Sequence, residues 1–144
     1  MRTIHATTVA LGDVAVLIRG VPGSGKSDLA LRLIDGGGIL VADDQTALRL
    51  AAGQVMASSP ASIAGRIEAR GLGILRVPFR AEAPVRLVVD LLAANADEAI
   101  ERLPEPHFAD LCGIHLPCLR MRAFESSAPA KIRLALRFGP ADME

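Results

Sequence analysis

The eight residues Gly20-Val21-Pro22-Gly23-Ser24-Gly25-Lys26-Ser27 fit the pattern G-x-x-x-x-G-K-[ST], and no other stretch constrains the fold as much. Glycines let the backbone turn so that successive N–H groups point inward, where they can meet phosphate oxygens. A helix beginning at this point adds the partial positive charge of its N-terminus. Lys26 supplies a point cation suited to β- and γ-phosphates, and the Ser27 hydroxyl suits Mg²⁺. The flanks match. Val14–Arg19 is a continuous apolar run ending in a charge, as a buried strand reads. Lys26–Asp35 puts Leu29, Ala30, Leu33 and Ile34 on one helical face, and Gly36-Gly37-Gly38 ends the helix. Ile39–Ala42 is a second short apolar strand. Strand, loop, helix, strand is a βαβ unit, which predicts an α/β protein with these two strands as a parallel pair. The loop predicts binding of a nucleoside triphosphate or another polyphosphate through Gly20, Val21, Pro22, Gly23, Ser24, Gly25, Lys26 and Ser27.

Asp43 and Asp44 follow the strand Ile39–Ala42. Ligands of open α/β sheets sit at the carboxyl ends of strands, so both aspartates are expected to face the loop. One carboxylate there can hold Mg²⁺, and the other can take a proton from an attacking hydroxyl. No guanine-reading Asn-Lys-x-Asp follows, which disfavours a small GTPase.

Thr3–Val9 is expected as one strand, with Leu11-Gly12-Asp13 as a turn. Further strands are expected at Thr46–Ala51, Gln54–Ser58, Ile74–Val77, Val85–Leu91 and Ile114–Leu119. Helices are expected at Ala96–Leu103 and Ser127–Leu136, the latter capped by Ser126 or Ser127. Cys112, His115 and Cys118, with His107, could suggest a metal site, but the spacing is not that of a zinc knuckle, and period-two alternation favours a buried strand.

Lys+Arg and Asp+Glu are equal at 16 each, so the chain lacks the cationic surplus that nucleic acid binding needs. The four aromatics are all Phe, too few for a single-strand stacking platform. Hydrophobic residues make up 51%, yet no run approaches the ~18 apolar residues of a membrane span. In 144 residues this apolar share points instead to an oligomer interface. Two cysteines cannot build a disulfide framework, and the N-terminus lacks a signal-peptide pattern, so a cytoplasmic location is expected.

Taken together these features resemble the catalytic domain of the HPr kinase/phosphorylase family, which phosphorylates a serine of the phosphocarrier HPr and uses a P-loop. Four segments carry the resemblance: His5 on the strand before the loop, the loop itself, Leu40-Val41-Ala42-Asp43-Asp44, and Ile67-Glu68-Ala69-Arg70-Gly71-Leu72-Gly73-Ile74, which matches a family signature Glu-x-Arg-Gly-Leu-Gly-Ile. The resemblance implies a P-loop kinase-like α/β domain with a mixed, strand-rich sheet. It implies ATP and Mg²⁺ as cofactors and HPr as protein substrate. It also implies a hexamer, and for residues 1–144 a single catalytic domain without the family's N-terminal regulatory domain. Carried over residue by residue, it makes Asp43 the catalytic base, His5 a support of the site, and Lys26 the catalytic cation that holds the β- and γ-phosphates. Ser27 and Glu68, with Asp44, become Mg²⁺ ligands, and Arg102 a functional arginine. The family's Pro-x-Arg-Pro-Gly-Arg-Asn stretch is replaced here by Leu119–Ser127, so the phosphorylase direction is not implied. The competing readings are a small-molecule P-loop kinase, for which the chain has little length to spare, and a non-catalytic nucleotide-sensing module.

Overall fold

In the computed structural model, which describes residues 2–138, the first three strands are β1 (Arg2–His5), β2 (Thr7–Leu11) and β3 (Val14–Arg19). The expected single strand over Thr3–Val9 is therefore two. The chain breaks at Ala6, whose N–H donates to Asp44 O at 3.1 Å. Gly12, at φ 70, turns β2 back onto β3 as a hairpin.

Helix α1 (Lys26–Asp35) follows the glycine loop and buries Leu29, Ala30 and Leu33. Gly38 N–H closes it on Leu33 O, and Gly37, at φ 110, makes the turn that leads out. Strand β4 (Ile39–Ala42) comes next, but it does not pair with β3. Strand β2 lies between them, antiparallel to both. The early hairpin has already occupied that edge of β3, so α1 must carry the chain past β2 to its far side. The two strands still run in the same direction and end at the same edge of the sheet.

Strands β5 (Gln45–Ala51) and β6 (Gln54–Ser58) form a hairpin, with a 3-10 turn at Ala61–Ile63 after it. Strands β7 (Arg66–Ala69) and β8 (Gly73–Arg76) make a separate two-stranded hairpin. Strand β9 (Ala83–Leu91) is the spine. Its start pairs with β6, and its end runs parallel to β3 on one side and to β11 (Ile114–Met121) on the other. Strand β10 (His107–Leu111) pairs with β11 at the sheet margin. The main sheet has nine strands in the order β1-β5-β6-β9-β3-β2-β4, with β11 and β10 branching from β9. Helix α2 (Ala128–Phe138) follows Ser127, close to where the sequence puts it.

Two cores sit on the two faces of this sheet. Val16 and Ile18 of β3 point to α1 and α2, alongside Leu29, Leu33 and Ile132. Ala15 and Leu17 point the other way, to Leu48, Val55 and Ala57 of the curled strands. Burial on both faces explains why β3 reads as an unbroken apolar run up to Arg19.

The expected helix at Ala96–Leu103 is absent: residues 96–103 are an irregular, largely exposed segment. Arg122 takes the carbonyls of Ala96 and Glu98 at 2.8 and 2.6 Å, and Arg120 pairs with the Glu98 carboxylate. Those carbonyls are the ones an α-helix would bond internally. Pro104 and Pro106 also bias the residues before them away from helical angles.

Candidate functional site

The carboxyl ends of β3 and β4, the first turn of α1 and the end of β7 converge on one cleft of ≈ 320 Å³. Pro22, Gly23, Gly25, Lys26 and Ser27 line one wall, and Asp44, Glu68, Ala69 and Arg70 the other. The loop's shape needs its glycines. Gly23 and Gly25 have φ 84 and φ 100, in the left-handed region. Gly25 also lies so close to the β11–α2 loop that a Cβ there would come within 2.6 Å of Ala123 Cβ. The Lys26 ammonium folds back onto the carbonyls of Gly20 and Val21, at 2.8 and 3.3 Å. Ser24 is buried, and its hydroxyl has no hydrogen-bond partner among the described residues.

Asp43 lies beneath this cleft, 9% exposed. Its Oδ1 accepts from Ser27 Oγ at 2.8 Å and from Thr7 Oγ1 at 3.0 Å, and its Oδ2 accepts from Glu68 N–H at 3.1 Å. Asp44 turns outward at φ 68 and lines the cleft itself. The hydroxyl of Thr7 also accepts from Asp44 N–H at 3.1 Å. Thr7 is fully buried on β2, so one side chain ties both aspartates to the sheet. Sequence reasoning missed Thr7, because its role depends on β2 lying beside β4. Arg70 was seen only as part of a signature and Phe124 only as part of a replaced stretch, yet both line the cleft.

Neither His5 nor Arg102 lines this cleft. His5 is exposed at the end of β1, opposite Gln45, and lies next to the Ala6–Asp44 backbone bond. Arg102 lines a separate groove of ≈ 670 Å³ beside β10 and β11, with Ile100, Leu103 and Phe108. On β11, His115 is exposed and Cys118 buried, on opposite faces of the strand, so the two do not converge on one ion.

At the entrance to the loop, Arg19 and Asp90 close the ends of β3 and β9 with a two-pronged ion pair at 2.7 and 3.0 Å. The guanidinium pKa is raised by this bond. The Cys118 thiol donates to the same carboxylate at 3.3 Å. Burial, and then the charge of Asp90, push that thiol up to about 12.

Besides Asp28, whose carboxylate Arg32 holds, the cleft's donor set is a hydroxyl and two carboxylates: Ser27, Asp44 and Glu68. All are oxygen donors, as a hard cation requires. They are too few for an all-protein cage, which fits Mg²⁺, an ion that keeps waters and shares itself with phosphates.

The family model described as the HPr serine kinase C-terminal domain matches residues 1–132. The chain belongs to this family. Among curated HPr kinase/phosphorylases, that of Bordetella petrii is 37% identical over 110 residues, covering 71% of this chain and 36% of its own length. That of Clostridium tetani is 43% identical over 75 residues, 52% of this chain and 25% of that protein. The chain thus spans about a third of the length of curated relatives that it matches. A solved structure of the HPr(Ser) kinase/phosphatase from Coxiella burnetii superposes with a TM-score of 0.83 at 27% identity, over 99% of this chain and 93% of that one. As a member of the HPr serine kinase C-terminal domain family, the chain has the α/β fold and mixed, strand-rich sheet expected from its sequence. Among the described residues no helix is long and apolar enough to cross a membrane.

Proposed function

We propose that this chain is an ATP-dependent serine kinase acting on an HPr-type phosphocarrier protein. The observation that carries the reading is the bond from Ser27 Oγ to Asp43 Oδ1, which joins the glycine loop to the aspartate pair at the cleft floor. Nucleotide phosphates sit on Gly20–Ser27, with Lys26 released from its two carbonyls to neutralise them. Ser27, Asp44 and Glu68 hold Mg²⁺, which when bound neutralises phosphate charge. Asp43 accepts the proton of the attacking serine hydroxyl. Phosphoryl transfer needs little more than such positioning and charge neutralisation. His5 supports the site through the Asp44 backbone, and Arg102, in the separate groove, has no contact with the cleft of the same chain.

A second assignment within the same reaction exchanges the aspartates. Asp44 lines the cleft whereas Asp43 is covered, which favours Asp44 as the group nearer the acceptor. Matched aspartate-to-asparagine variants separate the two.

The test of the whole reading is incubation with purified HPr and ATP-Mg²⁺, followed by intact mass. A single phosphate gained by HPr and mapped to a serine by fragmentation is the expected result, and ADP formation without a protein product would mean transfer to water and overturn HPr as the acceptor. We also propose self-assembly to a hexamer in the cytoplasm. Leu103 and Phe108, 86% and 59% exposed beside the second groove, supply apolar area for subunit contacts, and sedimentation as a monomer would remove that part.

A further inference from the structure

We infer that Phe124 is the platform on which the nucleoside base stacks, and that the site accepts purine triphosphates without reading their edges. The inference rests on the nucleotide reading above and goes beyond it, since nothing in the glycine-loop pattern assigns a base contact. Phe124 lies in the loop between β11 and α2 and lines the same cleft as Pro22, Gly23 and Gly25. A Cβ built on Gly25 would approach its ring carbons to 2.9 Å, so the ring lies directly over the first turn of α1. It is nevertheless 61% exposed.

The backbone on either side of the ring is fixed. Arg32, on α1, donates to the carbonyl of Ala123 and, at 3.2 Å, to that of Glu125. Ala123 is 1% exposed, and Lys131 of α2 holds the Glu125 carboxylate at 2.8 Å. The fold thus pins residues 123 and 125 and leaves the face of residue 124 free. An aromatic ring presented in this way binds a flat π-system with little loss of side-chain freedom. The phosphate end of a ligand is oriented independently. Lys26 and Ser27, at the start of α1, line the same cleft and are assigned to the phosphates and their metal.

Apart from Arg70, and from Lys26, Ser27, Asp44 and Glu68 assigned above to phosphate and metal, the cleft lining carries little with which to tell one base from another. Leu31 and Pro22 are apolar, and the Asp28 carboxylate is already engaged by Arg32 at 3.0 Å. Stacking alone is tolerant, because every base has a π-face.

The test uses ATP, GTP and inorganic tripolyphosphate, each with Mg²⁺, as probes of the full chain. Phe124→Ala removes an exposed ring, and a thermal melt of the variant confirms that it folds. Loss of one stacked base weakens binding about 5- to 150-fold. That loss is expected for ATP and GTP alike, with tripolyphosphate affinity unchanged. Phe124→Trp installs the chain's single tryptophan. Its emission is expected to be quenched by ATP and GTP and not by tripolyphosphate. Undiminished ATP affinity in Phe124→Ala, or equal losses for ATP and tripolyphosphate, would overturn the inference while leaving the kinase reading intact. A wild-type chain that bound neither ligand would overturn both.

Discussion

Ser27 Oγ and Asp43 Oδ1 stand 2.8 Å apart across a sequence separation of 16 residues. This bond joins the first turn of α1 to the end of β4, although β4 is not the neighbour of the strand that leads into the loop. Asp43→Asn keeps an acceptor for Ser27 and Thr7 but turns an N–H₂ toward the N–H of Glu68. The expected outcome is a fall in phosphoryl transfer to HPr of about 10²- to 10⁴-fold, the usual worth of a general base, with ATP affinity changed little. Asp44→Asn serves as the matched control. Transfer rates and ATP titrations on both variants decide between the aspartates: unchanged turnover in Asp43→Asn would pass the base role to Asp44.

Thr7 serves Asp43 and Asp44 with one hydroxyl and is fully buried. Thr7→Val keeps the shape and removes the hydroxyl, leaving Asp44 N–H without its acceptor. Stability is expected to drop by about 1–3 kcal/mol, read from urea midpoints, and kcat to fall more than KM changes. Thr7→Ser restores the hydroxyl and loses one methyl, so it should recover kcat while still costing about 1 kcal/mol. Equal kcat in the valine and serine variants would show that Thr7 does no more than fill space.

The local parts of this molecule are readable from sequence and the non-local parts are not. Gly20–Ser27, the apolar run before it and the amphipathic helix after it lie within one short stretch, and each follows from its own residues. Insertion of β2 between β3 and β4 does not, because it depends on which edge of β3 the hairpin at Gly12 occupies first. The Thr7–Asp43 contact inherits that invisibility. Residues 96–103 mislead for a related reason. Ala, Glu and Leu favour a helix locally, but Arg120 on a distant strand and Arg122 just beyond its end capture the polar groups a helix would use. Strand β7 is only four residues long and half charged, so its alternation, with Ile67 and Ala69 inward, is too brief to stand out.

Two glycines of the loop should respond differently to the same change. Gly23, at φ 84, has open space around the position of a Cβ, so Gly23→Ala meets backbone strain alone, about 1–2 kcal/mol. Gly25, at φ 100, adds a clash with Ala123 and Phe124. Overpacking of this kind costs a further ~1–3 kcal/mol. Thermal melts should therefore rank wild type above Gly23→Ala above Gly25→Ala. The Gly25 variant should also lose nucleotide binding through displacement of the β11–α2 loop. Equal melting temperatures for the two variants would contradict the close approach.

Lys26 donates to two carbonyls of its own loop, so its ammonium is already held near the place a polyphosphate would occupy. Lys26→Ala is expected to weaken both tripolyphosphate and ATP binding, since the point charge serves phosphates and not the base. Titration with both ligands checks this, and a selective loss of ATP alone would contradict the assignment.

Cys118 is buried beside the Arg19–Asp90 pair, and its thiol is pushed up to about 12 by that burial and then by the carboxylate. Only a thiolate alkylates readily, so Cys118 should resist iodoacetamide at pH 8 in the folded chain and react once the chain is unfolded. Intact mass should then show at most one adduct on the native protein, at Cys112, and two after denaturation. The sign of the pH effect follows from the same shift. Between the ordinary thiol value of 9.0 and about 12 the folded state holds a proton that the unfolded state has lost. The thiol's contribution is therefore fully present below about pH 9 and declines as pH climbs toward 12. The urea midpoint of wild type should fall across that window relative to Cys118→Ala, and parallel curves for the two proteins would show that folding does not raise the thiol's pKa.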